Sequence, residues 1–465
     1  MKKLFCFLFT IWMTNLLFAQ TDNYQLAIDK FQANYNTEKY DEIFNSFSPE
    51  MKKALPIEDT QQFLANLKNQ VGKIENMEFI SYQQGSYAIY KTSFKNAVLG
   101  INISLDNEDR INGLSVTPYV EPNKTEHITV KKLDNYPKEI AEIIFSKSKD
   151  FPNNTQISIA LIQNGKTNYY GIIKTNDTIK SIENQNKVFE IGSITKVFTS
   201  TVLASLVEDG KIKLGDEINT YYEFPFKDSI KLSFENLANH TSGLPRLPGN
   251  LDLSDENDPY KNYGESQIYE YLKNILSLES KLSETYSYSN LGTGLLGYTL
   301  GLVQKTTFEE LLKEKVFEKY NMENSFTSLQ NLNGMLVKGQ NLNGEIVPNW
   351  DFNILFGAGG ILSTTEDLAK FATAQFDPNN KELELTRKPT FEISDHMKIG
   401  LGWHLLKSSK GKDLGWHNGG TGGYSSSMIV NLSDHAAVII FSNVSATHPR
   451  MGNIDELCFE LINEL

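Results

Sequence analysis

Cysteine is nearly absent from this chain of 465 residues, which has only two, at positions 6 and 458. If Cys6 is removed with an N-terminal signal segment, Cys458 alone remains and no internal disulfide can form. A large hydrophobic core must then stabilise the fold, as is usual for a chain of this length. Cys458 lies in the amphipathic helical pattern NIDELCFELINEL, which predicts a buried structural thiol.

Runs of basic residues are also missing. The chain has 44 Lys and Arg against 57 Asp and Glu, which gives a net charge of −13. Nucleic acids and anionic membranes are bound through a basic face. The sequence therefore predicts neither of these partners.

The seven histidines include no H-x-H or H-x-x-x-H pair, so no zinc-hydrolase ligand set is visible. The G-x-S-x-G elbow of α/β-hydrolases, the P-loop and a strand followed by G-x-G-x-x-G are absent as well. We expect an activity that requires no metal and no organic cofactor.

Long apolar runs are confined to the first residues. Lys2 and Lys3 precede an apolar stretch from residue 4 to residue 18, and the small Ala19 follows. This pattern predicts a secretory signal peptide over residues 1–19, and hence a periplasmic or secreted protein. The stretch is shorter than the roughly 20 apolar residues that span a bilayer. No membrane span is expected after cleavage.

Residues 22–120 predict a small α+β domain. Helical spacing over residues 24–47 and 59–71 is followed by alternating stretches at 87–94 and 99–105. The pattern resembles NTF2-like or DUF3887-type domains, which implies an accessory or dimerising role. A binding function would instead need a concave pocket lined by aromatic side chains, for which the candidates are Tyr35, Tyr40, Phe44, Tyr82 and Tyr87.

A polar segment, predicted as a linker over residues 121–130, precedes a second domain over 131–465. The start of this second domain predicts two strands, at 156–163 and 167–174, joined at the hairpin signal Asn164-Gly165. Its end reads as two more strands, at 426–431 and 437–443, before the Cys458 helix. Mostly helical sequence lies between them. This order predicts one sheet with a helical insertion and an active site between the two.

The central motif is FEIGSITK at residues 189–196. Ser193 and Lys196 are three residues apart at the start of an apolar helical run that stops at Asp209-Gly210, so they share one helix face. A lysine buried beside a serine loses hydration and can act as its base. At a helix N-terminus, the serine N–H can also point at an oxyanion. S-x-x-K pairs at 146/149 and 409/412 lie in polar stretches and lack this setting.

Two further motifs follow in order: Tyr288-Ser289-Asn290, and WHNGGTGGY at residues 416–424. Together with FEIGSITK they resemble the nucleophile, Y-x-N and K-T-G elements of class C β-lactamases and D-alanyl-D-alanine carboxypeptidases. The loop segments LANHTSGLP at 237–245 and GAGGILSTT at 357–365 resemble the same family. The resemblance covers roughly residues 130–465. It implies an α/β domain with an antiparallel sheet flanked by helices.

The resemblance also implies the roles of the site residues. Ser193 would be the nucleophile, with Lys196 or Tyr288 as its general base; the sequence leaves this choice open. The N–H groups of Ser193 and Gly420 would form the oxyanion hole. Substrate contacts would come from Asn290, His417, Asn418, Gly419 and Gly420. His240 is expected to be a structural hydrogen-bonding residue, and Ser363 with Glu366 should form a capping box.

One position departs from the family pattern. His417 stands where most class C β-lactamases have a lysine that helps bind the β-lactam carboxylate, and a neutral imidazole binds a carboxylate less well. We expect a secreted hydrolase that forms an acyl-enzyme on Ser193 and cleaves β-lactam or D-alanyl peptide amides. The alternatives are an esterase or D-amino-acid amidase of the same fold, and a penicillin-binding sensor that deacylates slowly.

Overall fold

The computed structural model describes residues 10–83, 87–106, 108–119, 128–253, 255, 257–330, 332, 334–394, 397–408 and 410–465. The chain divides into two compact units, residues 1–126 and 127–465. Most of the predicted linker lies outside the described residues, and its last residue, Val130, begins a strand. The predicted signal segment lies outside them as far as residue 9. Among the described residues, no helix combines the length and the apolar character needed to cross a bilayer.

The first unit contains helices followed by an antiparallel sheet. The helices are α1 (Thr10–Asn36), α2 (Tyr40–Asn45), α3 (Pro49–Ala54) and α4 (Ile57–Val71). The strands are β1 (Ile74–Gln83), β2 (Tyr87–Phe94), β3 (Val98–Leu105) and β4 (Ile111–Pro118), paired in that order. The single helix predicted over 24–47 is wrong. Glu38 takes a left-handed φ of 59°, which ends α1 before α2 begins.

The core of this unit lies between α1 and the sheet. Tyr24, Ile28, Phe31 and Tyr35 recur at helical spacing and are buried in one cluster with residues of β2 and β3. Tyr40 and Phe44 pack against the same cluster. Of the five predicted pocket residues, Tyr35, Tyr40 and Phe44 therefore belong to the core or its edge, while the side chains of Tyr82 and Tyr87 lie outside what the structure describes.

The second unit is built on a ten-stranded sheet in the order β11-β12-β13-β14-β15-β16-β6-β7-β8-β5, with a separate β9–β10 pair. Neighbouring strands are antiparallel except for β5 and β8, which are parallel. The strands are β5 (Val130–Lys132), β6 (Gln156–Gln163), β7 (Lys166–Thr175), β8 (Thr178–Ile182), β9 (Phe189–Glu190), β10 (Leu362–Ser363), β11 (Phe391–Ser394), β12 (Met397–Ile399), β13 (His404–Lys407), β14 (Asp413–Gly420), β15 (Ser425–Asn431) and β16 (Ala436–Ser442).

Helices cover both faces of this sheet, and most of them come from the insertion between β8 and β11. They are α5 (Lys138–Ser148), α6 (Thr195–Glu208), α7 (Phe234–Ala238), α8 (Glu265–Glu270), α9 (Asn290–Gln304), α10 (Phe308–Leu312), α11 (Thr365–Ala374), α12 (Lys381–Thr386) and α13 (Gly452–Glu464). The helical insertion is thus present as the sequence indicates.

The predicted hairpin turn and the predicted helix cap differ in how well they match the backbone. The Asn164-Gly165 hairpin is present, since both residues have positive φ, 53° and 73°, as a two-residue type I′ turn requires. The capping box at Ser363 and Glu366 is wrong by one residue. Thr364 caps α11, and its hydroxyl accepts a hydrogen bond from Asp367 N at 3.1 Å, because Ser363 still belongs to β10.

Side chains that alternate along the sheet strands contribute to two separate hydrophobic cores, one on each face of the sheet. On β16, Ile439 and Phe441 join a cluster with α6 and the insertion, while Val438 and Ile440 join one with α5 and α13. The predicted burial of Cys458 is confirmed, since this free thiol is fully buried on α13 in the second cluster. The helix that begins just after Ser193 is therefore held against one face of the sheet.

Candidate active site

Ser193 lies in a 3₁₀ turn, Gly192–Ile194, between β9 and α6. Its side chain is half-buried, whereas its neighbours on both sides are buried. Gly192 has a left-handed φ of 51°, and a Cβ placed there would lie 2.5 Å from the backbone N of Gly420. Only glycine allows β14 to approach the turn this closely. The local sequence thus presents the serine hydroxyl at the surface of an otherwise buried segment.

Lys196 is fully buried beneath that hydroxyl. Its Nζ atom is 3.0 Å from Ser193 Oγ, 2.9 Å from Asn290 Oδ1 and 2.7 Å from the carbonyl oxygen of Ala358. The Asn290 side-chain amide is oriented by its other end, where Nδ2 donates to the Tyr260 hydroxyl at 3.0 Å. Two of the three contacts of Lys196 are therefore with oxygens that can only accept a hydrogen bond.

Burial also disfavours the charged form of this lysine. It lowers the pKa of Lys196 well below its ordinary value of 10.5, and the positive charge of Arg246 lowers it further. A neutral amine has two hydrogens and one lone pair. Donation to Asn290 and Ala358 uses both hydrogens, which directs the lone pair towards Ser193 Oγ. This is the arrangement of a general base with its proton donor.

Tyr288 packs on the other side of this group. The centroid of its ring is 4.9 Å from Lys196 Nζ, and Arg246 Cζ is 5.1 Å from the same ring. Burial raises the pKa of Tyr288 to about 12, although the nearby Ser193 hydroxyl and Arg246 both offset part of the rise. Near neutral pH this phenol keeps its proton.

His417 is the residue of β14 that faces the pocket. It is fully buried, and its ring centroid is 6.4 Å from that of Tyr288. Burial lowers the pKa of His417 well below its usual value, so the ring is neutral. Its Nδ1 atom donates to the Asn418 carbonyl at 2.6 Å, and among the described residues Nε2 has no hydrogen-bond partner. Nε2 of His417 is thus a buried acceptor, at the position where a lysine would be a cation.

The structure does not bring the side chain of Asn418 into the pocket, which corrects the prediction for this residue. Successive residues of a strand point to opposite faces, so Asn418 points away from the face that His417 occupies. Its Nδ2 atom donates to Asp455 Oδ2 on α13 at 2.8 Å. The neighbouring Trp416 packs on the same side, against Phe459.

Gly419 and Gly420 lie against the Ser193 turn. A Cβ on Gly419 would be 2.1 Å from the Ile191 carbonyl oxygen and 2.8 Å from Ser193 N. Contacts this short do not occur in folded proteins, so position 419 requires glycine. The backbone nitrogens of Ser193 and Gly420 thus both lie where β14 meets this turn.

His240 has the structural role expected of it. Its Nδ1 atom accepts a hydrogen bond from Ser289 N at 3.2 Å, and its ring lies 4.6 Å from that of Tyr288. This contact fixes the start of α9, from which Asn290 projects.

Several further residues contribute to the site. Ala358, in the family-like loop at 357–365, supplies a carbonyl to Lys196, and Tyr260 orients Asn290. Arg246 directly follows the LANHTSGLP loop, which could have indicated it. His404, whose Nε2 atom is 2.9 Å from the Tyr286 hydroxyl, carried no sequence signal. No cluster of His, Cys, Asp and Glu that could hold a metal occurs in the part of the chain that the structure describes.

Comparisons with protein families agree with these motifs. A family model described as Beta-lactamase matches residues 153–458, which is well over half of the chain. A second model, DUF3887, described as a protein of unknown function, matches residues 29–114.

Individual curated proteins show a similar relationship. A protein of Pseudomonas fluorescens named Beta-lactamase is 28% identical over 257 residues, which cover 54% of this chain and 69% of that protein. Beta-lactamase-like protein 2 of Dictyostelium discoideum is 29% identical over 285 residues, or 57% of this chain and 51% of its own length. The chain therefore matches only about half of the second relative.

Solved structures show the same fold. The octameric penicillin-binding protein homologue from Pyrococcus abyssi superposes with a TM-score of 0.58 at 21% identity, over 70% of this chain and 77% of that one. A structure titled Beta-Lactamase/D-Alanine Carboxypeptidase, from Pseudomonas syringae, gives a TM-score of 0.57 at 20% identity, over 70% and 97%.

Proposed function

The chain belongs to the beta-lactamase family, and we propose that it is a serine hydrolase whose reaction passes through an acyl-enzyme on Ser193. The observation that carries the proposal is the position of Lys196. This buried amine donates to two obligatory acceptors, and its third contact is the Ser193 hydroxyl at 3.0 Å. A neutral lysine in that position supports base catalysis by Lys196, since Tyr288 has a raised pKa and keeps its proton.

In the proposed acylation step, Ser193 Oγ attacks the substrate carbonyl carbon while its proton passes to Lys196 Nζ. The carbonyl oxygen becomes an oxyanion that accepts hydrogen bonds from the N–H groups of Ser193 and Gly420. The bond to the leaving group then breaks. Tyr288, which is protonated, gives the leaving nitrogen or oxygen a proton, and the proton that Lys196 took from Ser193 then passes to the Tyr288 phenolate, so both groups end the step as they began it.

Deacylation repeats these steps with water. Lys196 takes a proton from the water, the hydroxide adds to the ester carbonyl, and Ser193 leaves with a proton returned to it. None of these steps requires a metal or an organic cofactor. The free acid and the regenerated serine are the products.

The substrates that we propose first are β-lactams and D-alanyl peptides. Both contain an amide bond, and both have a shape that enzymes of this family bind. An ester is the second candidate, and it is favoured by a specific observation. His417 is buried and neutral, so it supplies an acceptor where a β-lactam carboxylate would need a cation. A sensor that acylates and deacylates slowly is a third outcome of the same chemistry.

We also propose export and cleavage after Ala19, which would make the enzyme periplasmic or secreted. The described buried face of α1 begins at Tyr24, so the cut would leave that face intact. N-terminal sequencing of the protein recovered outside the cytoplasm tests this point. A mature chain that still begins at Met1 would contradict it.

The test of the function compares the wild type with Ser193→Ala on three substrates: a chromogenic cephalosporin, an acyl-D-alanyl-D-alanine peptide and a p-nitrophenyl ester. We expect at least one to be hydrolysed by the wild type and not by the variant. The substrate that turns over fastest selects among the candidates. Equal rates for the two proteins on every substrate would refute a role for Ser193.

A further inference from the structure

We propose that the second unit has a separate site that binds the phosphate ester of a sugar or another polyol. The site is a cavity of about 630 Å³ at one end of the large sheet, which is within the range of small-molecule sites. It is lined by the start of β6, the residue after β16, Lys187 before β9, and parts of the segment 334–346. The inference does not depend on the proposed hydrolase activity.

This cavity is distinct from the catalytic pocket. None of the residues described above for the active site lines it. Gln156 lies at the start of β6 and Asn443 just after β16, and these strands are three and two places away from β14 in the sheet. Because neighbouring strands lie about 4.8 Å apart, the two residues are roughly 14 Å and 10 Å across the sheet from Gly420.

The buried side chain of Asn443 holds the walls of the cavity together. Its Oδ1 atom accepts a hydrogen bond from Gln156 N at 2.7 Å, and its Nδ2 atom donates to the Lys338 carbonyl at 2.9 Å. Its backbone carbonyl accepts from Gln340 N at 3.1 Å. One residue thus joins the end of the sheet to the segment that carries Lys338 and Gln340, so the cavity is formed before a ligand binds.

The charge of the lining is positive. Lys187 is half-buried, Lys338 is exposed, and no acidic residue is among the described residues that line the cavity. Neither ammonium group has a hydrogen bond or an ion pair within the part of the chain that the structure describes. Glu345 lies in the same segment, but its carboxylate accepts a hydrogen bond from Asn341 Nδ2 at 2.9 Å. Two cations without an acidic partner, on a protein with a net charge of −13, are available to an anion.

The residue types in the lining favour phosphate as that anion. A lysine ammonium binds as a compact point charge, which suits the oxygens of a phosphate, whereas a planar carboxylate is matched best by the fork of an arginine. The described lining contains no arginine. It contains no aromatic ring either, so a nucleobase would have no ring on which to stack. The phosphate is therefore expected on a ligand other than a nucleotide.

Amide side chains beside the two lysines indicate the rest of the ligand. The side chains of Asn154 and Gln156 make no hydrogen bond with the described residues. Gln340 is only 3% exposed, and its Oε1 atom accepts no hydrogen bond from them, although its Nε2 atom donates to the Asn153 carbonyl at 3.3 Å. An amide both donates and accepts, as the neighbouring hydroxyl groups of a polyol require. Phosphate for the lysines and hydroxyls for the amides together describe a phosphate ester of a polyol.

The probes are glucose 6-phosphate and glycerol 3-phosphate, with inorganic phosphate, glucose and glycerol as their separate parts. In calorimetric titrations of the wild type at low ionic strength, at least one ester should bind more tightly than inorganic phosphate and than its own polyol. Lys187→Gln/Lys338→Gln should weaken the binding of that ester about tenfold or more, the range for charge-assisted hydrogen bonds. Lys211→Gln, which removes an exposed cation beyond the end of α6, should leave it unchanged.

Both lysine side chains lie at the surface, so the melting temperature of the double variant should match that of the wild type. Each single substitution should give part of the loss, which preserves the test if the double variant is unstable. Gln156→Ala should weaken the binding of the ester and leave that of inorganic phosphate unchanged. An equal effect on both would contradict the assignment of the amides to the polyol.

The proposal is overturned if neither ester binds, or if the lysine substitutions leave the affinity unchanged. Inorganic phosphate that binds as tightly as the esters would mean an adventitious ion only, and an equal loss in Lys211→Gln would mean a general effect of charge. Ester binding should persist in Ser193→Ala, and its loss there would place the ester in the catalytic pocket instead. Hydrolysis that survives Ser193→Ala contradicts the proposed function but not this site.

Discussion

The amine of Lys196 lies 3.0 Å from the hydroxyl oxygen of Ser193, and the lysine is shielded from solvent while the serine is partly exposed. The surroundings thus disfavour the charged form of the lysine, and the serine can be reached by a substrate.

Replacement of Lys196 by methionine should lower the rate of acylation by about a hundredfold to ten-thousandfold, the usual contribution of a general base. Methionine fills the space but accepts no proton. The rate of adduct formation with a fluorescent penicillin, or of ester cleavage, measures the effect.

Lys174 provides a matched control. It is also a buried lysine with a lowered pKa, and it donates to the carbonyls of Lys149 and Phe151 on another part of the unit. Lys174→Met should reduce stability, because two buried carbonyls lose their donor, and should leave acylation intact. Similar acylation rates in the two variants would contradict the role of Lys196.

The pH dependence of acylation should follow Lys196. Protonation removes the lone pair, so the rate should fall as the pH drops through a pKa that lies well below 10.5. No histidine should add an inflection near 6.5, since burial holds the pKa of His404 at about 4 and that of His417 well below its usual value. An acid limb near 10.5, or one near 6.5 that disappears in His417→Gln, would show that another group controls the reaction.

A methyl group at position 419 should separate the proposed oxyanion donors. In Gly419→Ala the new Cβ would meet the Ile191 carbonyl at 2.1 Å, so β14 must move away from the Ser193 turn. We expect at least about a hundredfold loss of kcat, as for a lost oxyanion donor. Overpacking should also cost roughly 1–3 kcal/mol of unfolding free energy.

Gly215→Ala is the control for this change, because a Cβ at that position meets no atom within 4 Å. Its activity and melting temperature should match those of the wild type. Full activity in Gly419→Ala would mean that the N–H groups of Ser193 and Gly420 do not act together.

Glu190, three residues before the serine, should make stability depend on pH. Its Oε1 atom accepts hydrogen bonds from Asn349 Nδ2 at 2.6 Å and Trp350 N at 3.0 Å, and burial raises the pKa of its carboxyl to about 7 from 4.5. Between these values the folded state binds the proton and the unfolded state does not, so this group's contribution to stability falls as the pH rises through that window.

Glutamine keeps the acceptor oxygen but does not titrate. The unfolding free energy of the wild type relative to Glu190→Gln should therefore fall by roughly 3 kcal/mol between pH 4 and pH 8. Urea unfolding of both proteins across this range measures the difference. A difference that stays constant, or that rises with pH, would show that Glu190 is charged in the folded state.

The sequence identified the residues whose spacing is local. Ser193 and Lys196 share a helix face because they are three residues apart, and the Asn164-Gly165 turn follows from the backbone preferences of those two residues. Alternation along β14 could also have shown that Asn418 faces away from His417. The break between α1 and α2 was missed because Glu38 takes a left-handed conformation without glycine or asparagine to indicate it.

Contacts between distant segments could not be predicted in this way. The Ala358 carbonyl reaches Lys196 across 162 positions of the chain, and the Tyr260 hydroxyl reaches Asn290 across 30. No periodicity connects such residues, because the helical insertion folds its loops over α6 only when the core forms. Arg246 was missed for the same reason: its backbone joins the start of α9 through tertiary hydrogen bonds.

The most direct test of an acyl-enzyme on Ser193 is the intact mass of the mature protein, quenched with acid at short times after mixing with a fluorescent penicillin or an activated ester. We expect a transient increase by the mass of the acyl group, on the peptide that contains Ser193, and no increase in Ser193→Ala. A mass increase that maps to another residue, or that persists in Ser193→Ala, would contradict the mechanism.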